Sequence, residues 1–125
     1  AAALDIPNVL CLTGDPVKVG DCPNAKPVFE INSVQLLKLA KTLQNGFDDS
    51  QNKMNAPTRF LLGAAINPTL RENSNSHSRM AQKIEAGASF FQTQANYDIE
   101  DFKAFCVAAK NLNTKILAGI LILHS

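Results

Sequence analysis

Four short runs of apolar residues recur along the chain, and turn-forming or polar residues follow most of them. Runs of this length, bounded by turn signals and without strict alternation of apolar and polar positions, are typical of buried strands. The predicted strands are Asn8–Leu12, Phe60–Ile66, Ala88–Gln94 and Lys115–Leu123. Strands that are apolar on both faces predict a parallel sheet with helices packed against it.

Three segments between these runs show apolar residues every three or four positions, which is the period of an amphipathic helix. The first spans about Ser33–Asn45, with Asn32 or Ser33 available as its N-cap. The second is a short helix over Arg79–Ala86, and the third begins after the capping residue Asp98. The predicted apolar stripes are Leu36, Leu39, Ala40 and Leu43, then Met80 and Ile84, then Phe102, Phe105, Cys106 and Ala109.

Strands and helices therefore alternate in the order β-α-β-α-β-α-β, with polar connections predicted at Phe47–Thr58 and Arg71–Ser78. This alternation predicts an α/β fold, a parallel sheet whose strands are joined by right-handed crossovers. The segment Leu39–Gly46 resembles Met80–Gly87, and repeated βα units suit a (β/α)8 TIM barrel as readily as a doubly wound sheet. A complete barrel takes about 250 residues, so we expect residues 1–125 to form a single partial barrel domain.

The edges of such a sheet give a further expectation. Four strands in an open parallel sheet leave two apolar edges unpaired, which natural proteins avoid. We therefore expect that this sequence continues in a longer polypeptide, or that another copy supplies the missing strands.

Composition narrows the class of protein. Lys and Arg number 12 against 11 Asp and Glu, so no dense basic face is available to bind nucleic acid. The apolar runs are shorter than the roughly 20 residues of a membrane span, and no signal peptide opens the chain, which predicts a cytoplasmic protein. Three cysteines without metal-ligand spacing predict reduced thiols, and with only two isolated histidines no metal site is expected.

Candidate chemistry is expected at the carboxyl ends of the strands, where parallel α/β folds bind their ligands. Asp15 is a carboxylate beside Gly14, and Gln94 offers both a donor and an acceptor to a heterocycle, while Asn67 and Thr93 add neutral hydrogen-bonding groups. The alternative is that Asp15 only forms a turn and that Gln94 only satisfies backbone groups. The predicted strand ends are 13–16, 65–68, 92–94 and 123–125.

Several segments together resemble the methylenetetrahydrofolate reductase family, and the resemblance covers nearly the whole chain. The most specific segment is Lys83–Gln94, followed by Tyr97 and Asp98. The other matching segments, in family order, are Val9–Pro16, Gly63–Pro68 and Ala118–Ile120. The resemblance implies strands four to seven of a (β/α)8 barrel that carries a flavin, usually FAD but with FMN left open. It also implies reduction of 5,10-methylenetetrahydrofolate to 5-methyltetrahydrofolate, with NAD(P)H or another electron donor.

The resemblance also implies roles for particular residues. Asp15 would be the catalytic residue, a fixed negative charge near the flavin ring that favours a cationic iminium substrate. Gln94 would hydrogen-bond the pterin ring of the folate substrate. The implied cofactor-binding residues are Thr13, Gly14, Asp15, Ala65, Asn67 and Lys83, with Lys83 at the phosphate or ribose portion.

The sequence departs from the family pattern in places. Many members have Arg where Thr13 stands, which removes a cation near the flavin, and the family's histidine after its fifth strand has no counterpart here. The family's proton-donating glutamate, which follows its first strand, also has no counterpart, so these residues alone are expected to be inactive.

Two alternatives stay open. One is a non-catalytic pterin- or flavin-binding scaffold in a methyl-transfer complex, with an electron-transfer or methyltransferase partner. The other is a small flavodoxin-like domain, which is disfavoured because Asp15 would face the phosphate.

Overall fold

Four parallel strands form one sheet, and a helix follows each of the first three strands. The structure is a computed structural model that describes residues 1–22, 24–69 and 75–122. The strands are β1 (Asn8–Cys11), β2 (Leu61–Ile66), β3 (Phe90–Thr93) and β4 (Lys115–Leu117), in the spatial order β1-β2-β3-β4. The α-helices are α1 (Ser33–Gln44), α2 (Ser76–Glu85) and α3 (Ile99–Asn111), and two short 3₁₀ helices span Ala2–Leu4 and Val17–Val19. This arrangement confirms the predicted α/β fold and is that of part of a TIM barrel.

The register places alternate residues of each strand on opposite faces of the sheet. One row across all four strands is Cys11, Ala64, Phe91 and Ile116. Cys11, Ala64 and Phe91 are fully buried, and this face packs against the helices. Each helix contributes one fully buried apolar side chain to the same core, namely Leu37, Met80 and Phe105.

The first helix is capped by its own sequence, and its buried stripe differs from the predicted one. The Asn32 side chain accepts from the N–H groups of Val34 and Gln35, and the Gln35 side chain accepts from the Asn32 N–H. The centre of the buried stripe is Leu37, with Ser33 and Ala40, whereas Leu36 is only partly buried. The prediction placed the stripe one position too early, because the run Leu36–Leu37 fits the helical period in either phase.

Most predicted boundaries differ from the observed ones by one or two residues, and two differ by three or more. The prediction placed residues 76–78 in a loop, but α2 begins at Ser76, whose buried hydroxyl donates to the carbonyls of Asn67 and Thr69. The predicted strand Lys115–Leu123 ends instead at Leu117, because the ladder with β3 ends at the pair Gln92 and Leu117. Pro23, Leu123, His124, Ser125 and the loop residues 70–74 lie outside the described residues.

All three cysteines are free, as predicted: Cys11 is buried, Cys22 is exposed and Cys106 is partly buried. His77 is exposed at the start of α2, as its Ser/Asn-rich surroundings indicated. Within the described ranges, no helix is both long and apolar enough to cross a lipid bilayer.

Candidate functional site

A cavity of about 280 Å³ opens at the carboxyl ends of β1, β2 and β3. Its lining contains six of the seven predicted site residues, drawn from four different segments of the chain. The lining residues are Cys11, Leu12, Thr13, Gly14, Asp15, Ser33, Ala65, Lys83 and Gln94. A second cavity of about 270 Å³ shares Leu12, Ala65 and Gln94 with the first, so the two adjoin along the open face of the sheet.

The seventh predicted residue, Asn67, is not part of the cavity lining. It is exposed, and its carbonyl oxygen accepts a hydrogen bond of 3.2 Å from the Ser76 hydroxyl. This bond connects the end of β2 to the start of α2. The structure thus places Asn67 beside the cavity rather than in its wall.

Gly14 gives the cavity its open side. Its φ of +83° lies in the left-handed region that favours glycine. A Cβ at this position would meet no atom within 4 Å, so the space above the Gly14 backbone is free for a ligand. Asp15 follows in an exposed position, and it is the only carboxylate among the lining residues.

Thr13 anchors the start of α1 to the end of β1. Its hydroxyl oxygen accepts from the Ser33 N–H at 3.0 Å, across a connection of 20 residues. The next two N–H groups of α1 donate to the Asn32 side chain, and the Leu36 N–H donates to the Asn32 carbonyl. All the N-terminal donors of α1 therefore have partners within the chain, and this helix end is not free to bind an anion. Sequence reasoning missed Ser33 because no local signal indicated a bond over this separation.

Lys83 places a cation in the cavity wall. Helical side chains tilt toward the helix N-terminus, and Lys83, in the last turn of α2, reaches the Ala65 carbonyl at 2.8 Å. Ala65 lies beyond the ladder of β1 and β2, which ends at Cys11 and Ala64. Burial lowers the pKa of Lys83 below its ordinary value, and the charge of nearby Arg79 lowers it further. An ammonium group has three donors, so this contact leaves two for a ligand.

Gln94 directly follows the last residue of β3 and lines the cavity at that end of the strand. Its backbone N–H donates to the Ile66 carbonyl at 3.1 Å, and its side chain is exposed on the open face. Thr93 points the other way: it is buried on the helix-covered face with Phe91. Strand side chains alternate between faces, so the Thr93 side chain is buried where that of Gln94 is exposed, although Thr93 also contributes to the lining of the second cavity.

The remaining wall of the cavity is apolar. Burial raises the pKa of the Cys11 thiol, so Cys11 stays protonated at neutral pH and acts as a small apolar side chain.

Over the residues that the structure describes, no group of three or more His, Cys, Asp or Glu side chains is arranged to hold a metal ion.

The opposite end of the sheet has a cavity of a different kind. Its volume is about 460 Å³, and its lining, which is mostly apolar, includes Leu61, Phe90 and Leu117. In barrels of parallel strands the ligand site lies at the carboxyl ends. The candidate site is therefore the cavity that contains Asp15, Lys83 and Gln94.

Parallel strands with polar side chains at their carboxyl ends define an α/β protein of the TIM-barrel class, whose candidate ligand site lies at that end. The family model described as methylenetetrahydrofolate reductase matches residues 1–125, which is the whole chain. The chain belongs to the methylenetetrahydrofolate reductase family. Membership implies a reductase-type function in folate metabolism. A search of curated proteins found no match.

Proposed function

We propose that this chain forms part of the flavin and folate site of a methylenetetrahydrofolate reductase. One observation carries the proposal: Asp15, Lys83 and Gln94, which are far apart in sequence, line one cavity at the carboxyl ends of the strands. An anion, a cation and a neutral amide provide complementary contacts to a ligand with a phosphate portion and a planar polar ring.

The residues present fit a flavin. The free space above Gly14 admits a ring close to the backbone, and Lys83 supplies a cation for a phosphate group. The second cavity extends the open face past Ala65, whose small side chain leaves room beside Gln94. When bound, the flavin would supply the hydride that reduces the methylene group of 5,10-methylenetetrahydrofolate. FAD is the expected form, with FMN as the alternative.

Asp15 holds a fixed negative charge at the mouth of the cavity. A carboxylate in this position stabilises a cationic iminium form of the substrate, and its effect grows as the ligand excludes water. No neutral residue of similar size provides this charge. We therefore assign Asp15 to the chemical step rather than to cofactor affinity.

Gln94 binds the substrate in this account. Its amide can donate and accept at the edge of the pterin ring, which presents both kinds of group. Replacement by a carboxylate would remove the donor while keeping the size of the side chain. Lys83 holds the anionic part of the cofactor, and Thr13 keeps the β1–α1 connection closed beside it.

The proposal extends to the surroundings of the site. Electrons come from NAD(P)H or from another electron-transfer partner, and the proton donor comes from outside the described cavity, where Asp15 is the only carboxylate. Other barrel strands or a second subunit complete the site. Three free thiols support a reducing, cytoplasmic location.

Asp15→Asn in the full-length protein tests the proposal. We expect the rate of folate reduction to fall about 100-fold, the effect of removing one preorganised charge, while flavin affinity changes by less than about threefold. Asp21→Asn is the matched control, because Asp21 is exposed in the same connection but does not line the cavity. Equal losses of rate and flavin affinity would remove the role assigned to Asp15.

Gln94→Glu tests the substrate contact separately. The variant should weaken folate binding while the donor still reduces the flavin at a nearly normal rate. Gln82→Glu makes the same change at an exposed position on α2 and should alter neither step. An unchanged affinity for folate would contradict the pterin contact.

A further inference from the structure

A buried hydroxyl group lies at the end of β3, on the residue before Gln94, and this residue also contributes to the lining of the second cavity. Thr93 is only 4% exposed, and its hydroxyl oxygen accepts a hydrogen bond of 2.9 Å from the Gly119 N–H. The two residues are 26 positions apart. The bond therefore fixes the segment after β4 against the end of β3.

The bond occurs where β4 leaves the sheet. The ladder between β3 and β4 ends at Gln92 and Leu117, so the Gly119 N–H takes a side-chain acceptor instead of a strand carbonyl. A Cβ at position 119 would overlap the Thr93 carbonyl oxygen and lie 3.2 Å from the Gln94 carbonyl carbon. These atoms belong to the backbone and cannot move aside, so the approach requires glycine.

This contact supports the peptide that carries Gln94. The Gln94 N–H donates to the Ile66 carbonyl on the β2 side. On the β4 side, Gly119 lies against the carbonyl carbon of Gln94. Gln94 itself lines both adjoining cavities. Its backbone is thus held between two neighbouring strands while its side chain is exposed on the open face.

We propose that Thr93 and Gly119 form a positioning pair that holds the Gln94 amide in place for the pterin ring of the substrate. The inference rests on the proposed function, because Gln94 is the substrate contact there. The Thr93 hydroxyl is bonded to Gly119, so it acts through the backbone rather than on the ligand. The pair determines affinity for the folate and leaves the reduction of the cofactor unaffected.

Thr93→Val is the test, because valine has nearly the shape of threonine but cannot accept the Gly119 N–H. Thr93→Ser keeps the acceptor and loses only a methyl group, so it should restore the bond. Thr114→Val is the matched control: the Thr114 hydroxyl is near the other end of β4, where it donates to Ser89 at 3.4 Å. If Thr93→Val does not fold, Thr93→Ala, which relieves any crowding, takes its place.

The readout separates substrate binding from the cofactor step in the flavin-loaded, full-length protein. We expect Thr93→Val to raise the KM for methylenetetrahydrofolate about tenfold, which is less than the roughly 100-fold that a misplacement of about 1 Å can cost. The rate of flavin reduction by the electron donor should remain within about twofold of the wild-type rate. Thr93→Ser and Thr114→Val should match the wild type in both measurements.

Gln94→Ala, measured in parallel, separates this inference from the proposed function. If Gln94→Ala leaves the KM unchanged, the substrate contact itself is wrong and the proposed function fails with it. If Gln94→Ala raises the KM but Thr93→Val does not, only the positioning pair is wrong. A Thr93→Val variant that loses both steps equally, or that Thr93→Ser does not rescue, would show a merely structural role and overturn the inference.

Discussion

The two faces of the sheet are built from neighbouring residues but differ in what they contain. The helix-covered face has a continuous buried row, whereas the open face combines exposed leucines and the partly buried Phe90 with small or polar residues; Leu61 is 49% exposed and Leu117 55%. The row on the open face is Leu10, Gly63, Phe90 and Lys115. The helix-covered face therefore contains the core of the fold, whereas the open face has cavities at both ends of its strands.

The space above the open face differs from one end of the strands to the other. At Gly63 the Phe90 ring occupies the place where a Cβ would lie. Two residues later, Ala65 is partly exposed and lines both adjoining cavities. Small residues on β2 therefore contact a ring at one end of the strand and line a cavity at the other.

The largest expected effect is on the helix-covered face. Phe91→Ala removes a fully buried ring and should lower the free energy of unfolding by about 3–5 kcal/mol. Gln92→Ala, one residue further on the opposite face, should change it by less than about 1 kcal/mol because Gln92 is exposed. Chemical denaturation of both variants measures the difference. Similar losses of unfolding free energy in the two variants would contradict the conclusion that the helix-covered face contains the core of the fold.

Lys83→Met tests the charge at the carboxyl end. Loss of the cation should weaken flavin binding about tenfold, which corresponds to about 1.4 kcal/mol. Lys38→Met, at an exposed position of α1, should leave flavin affinity unchanged. A flavin titration of the two variants decides whether Lys83 binds the cofactor or only supports the Ala65 carbonyl.

The lowered pKa of Lys83 gives this prediction a pH dependence. As pH rises through that lowered pKa, the wild-type protein should lose flavin affinity before an ordinary lysine would deprotonate. Over the same interval the unfolded chain still binds the proton, so the free energy of unfolding should rise with pH. Lys83→Met should show neither change, and a wild-type affinity that is flat across the alkaline range would contradict the assignment.

Thr13→Val has the smallest expected effect, because it removes one hydrogen bond at the N-terminus of α1. The free energy of unfolding should fall by about 1 kcal/mol, and Thr13→Ser should restore it. Denaturation curves for the two variants test this. A loss in the serine variant as large as in the valine variant would mean that the methyl group, not the hydroxyl, makes the contact.

Local pattern was sufficient for much of the fold. Apolar runs and helical periods predicted the four strands and three α-helices of the described residues, but not the two short 3₁₀ helices, and the apolar residues on both faces predicted parallel pairing. The end of β4 was not predictable, because residues 118–122 are as apolar as a strand, and their pairing depends on a neighbour. The predicted buried stripe of α1 was wrong for a related reason. Leu36 and Leu37 are equally apolar, and only their packing in the fold distinguishes them.

The candidate site was partly predictable as well. The rule that ligands bind at the carboxyl ends of parallel strands placed Gly14, Asp15 and Gln94 together, and the family resemblance added Lys83. The alternation of β3 could have indicated that Thr93 faces the helices. Its bond to Gly119, and that of Thr13 to Ser33, join residues too far apart in sequence to leave a local pattern.

The visible absorption spectrum of the full-length protein, as purified from its source, tests the central claim most directly. The claim is that the carboxyl end of this sheet binds a flavin. We expect flavin absorption bands in the wild-type sample, and a larger loss of these bands on dialysis of Lys83→Met, whose flavin affinity should be about tenfold lower. A wild-type sample that is colourless, and stays so after FAD or FMN is added and excess removed, would contradict it.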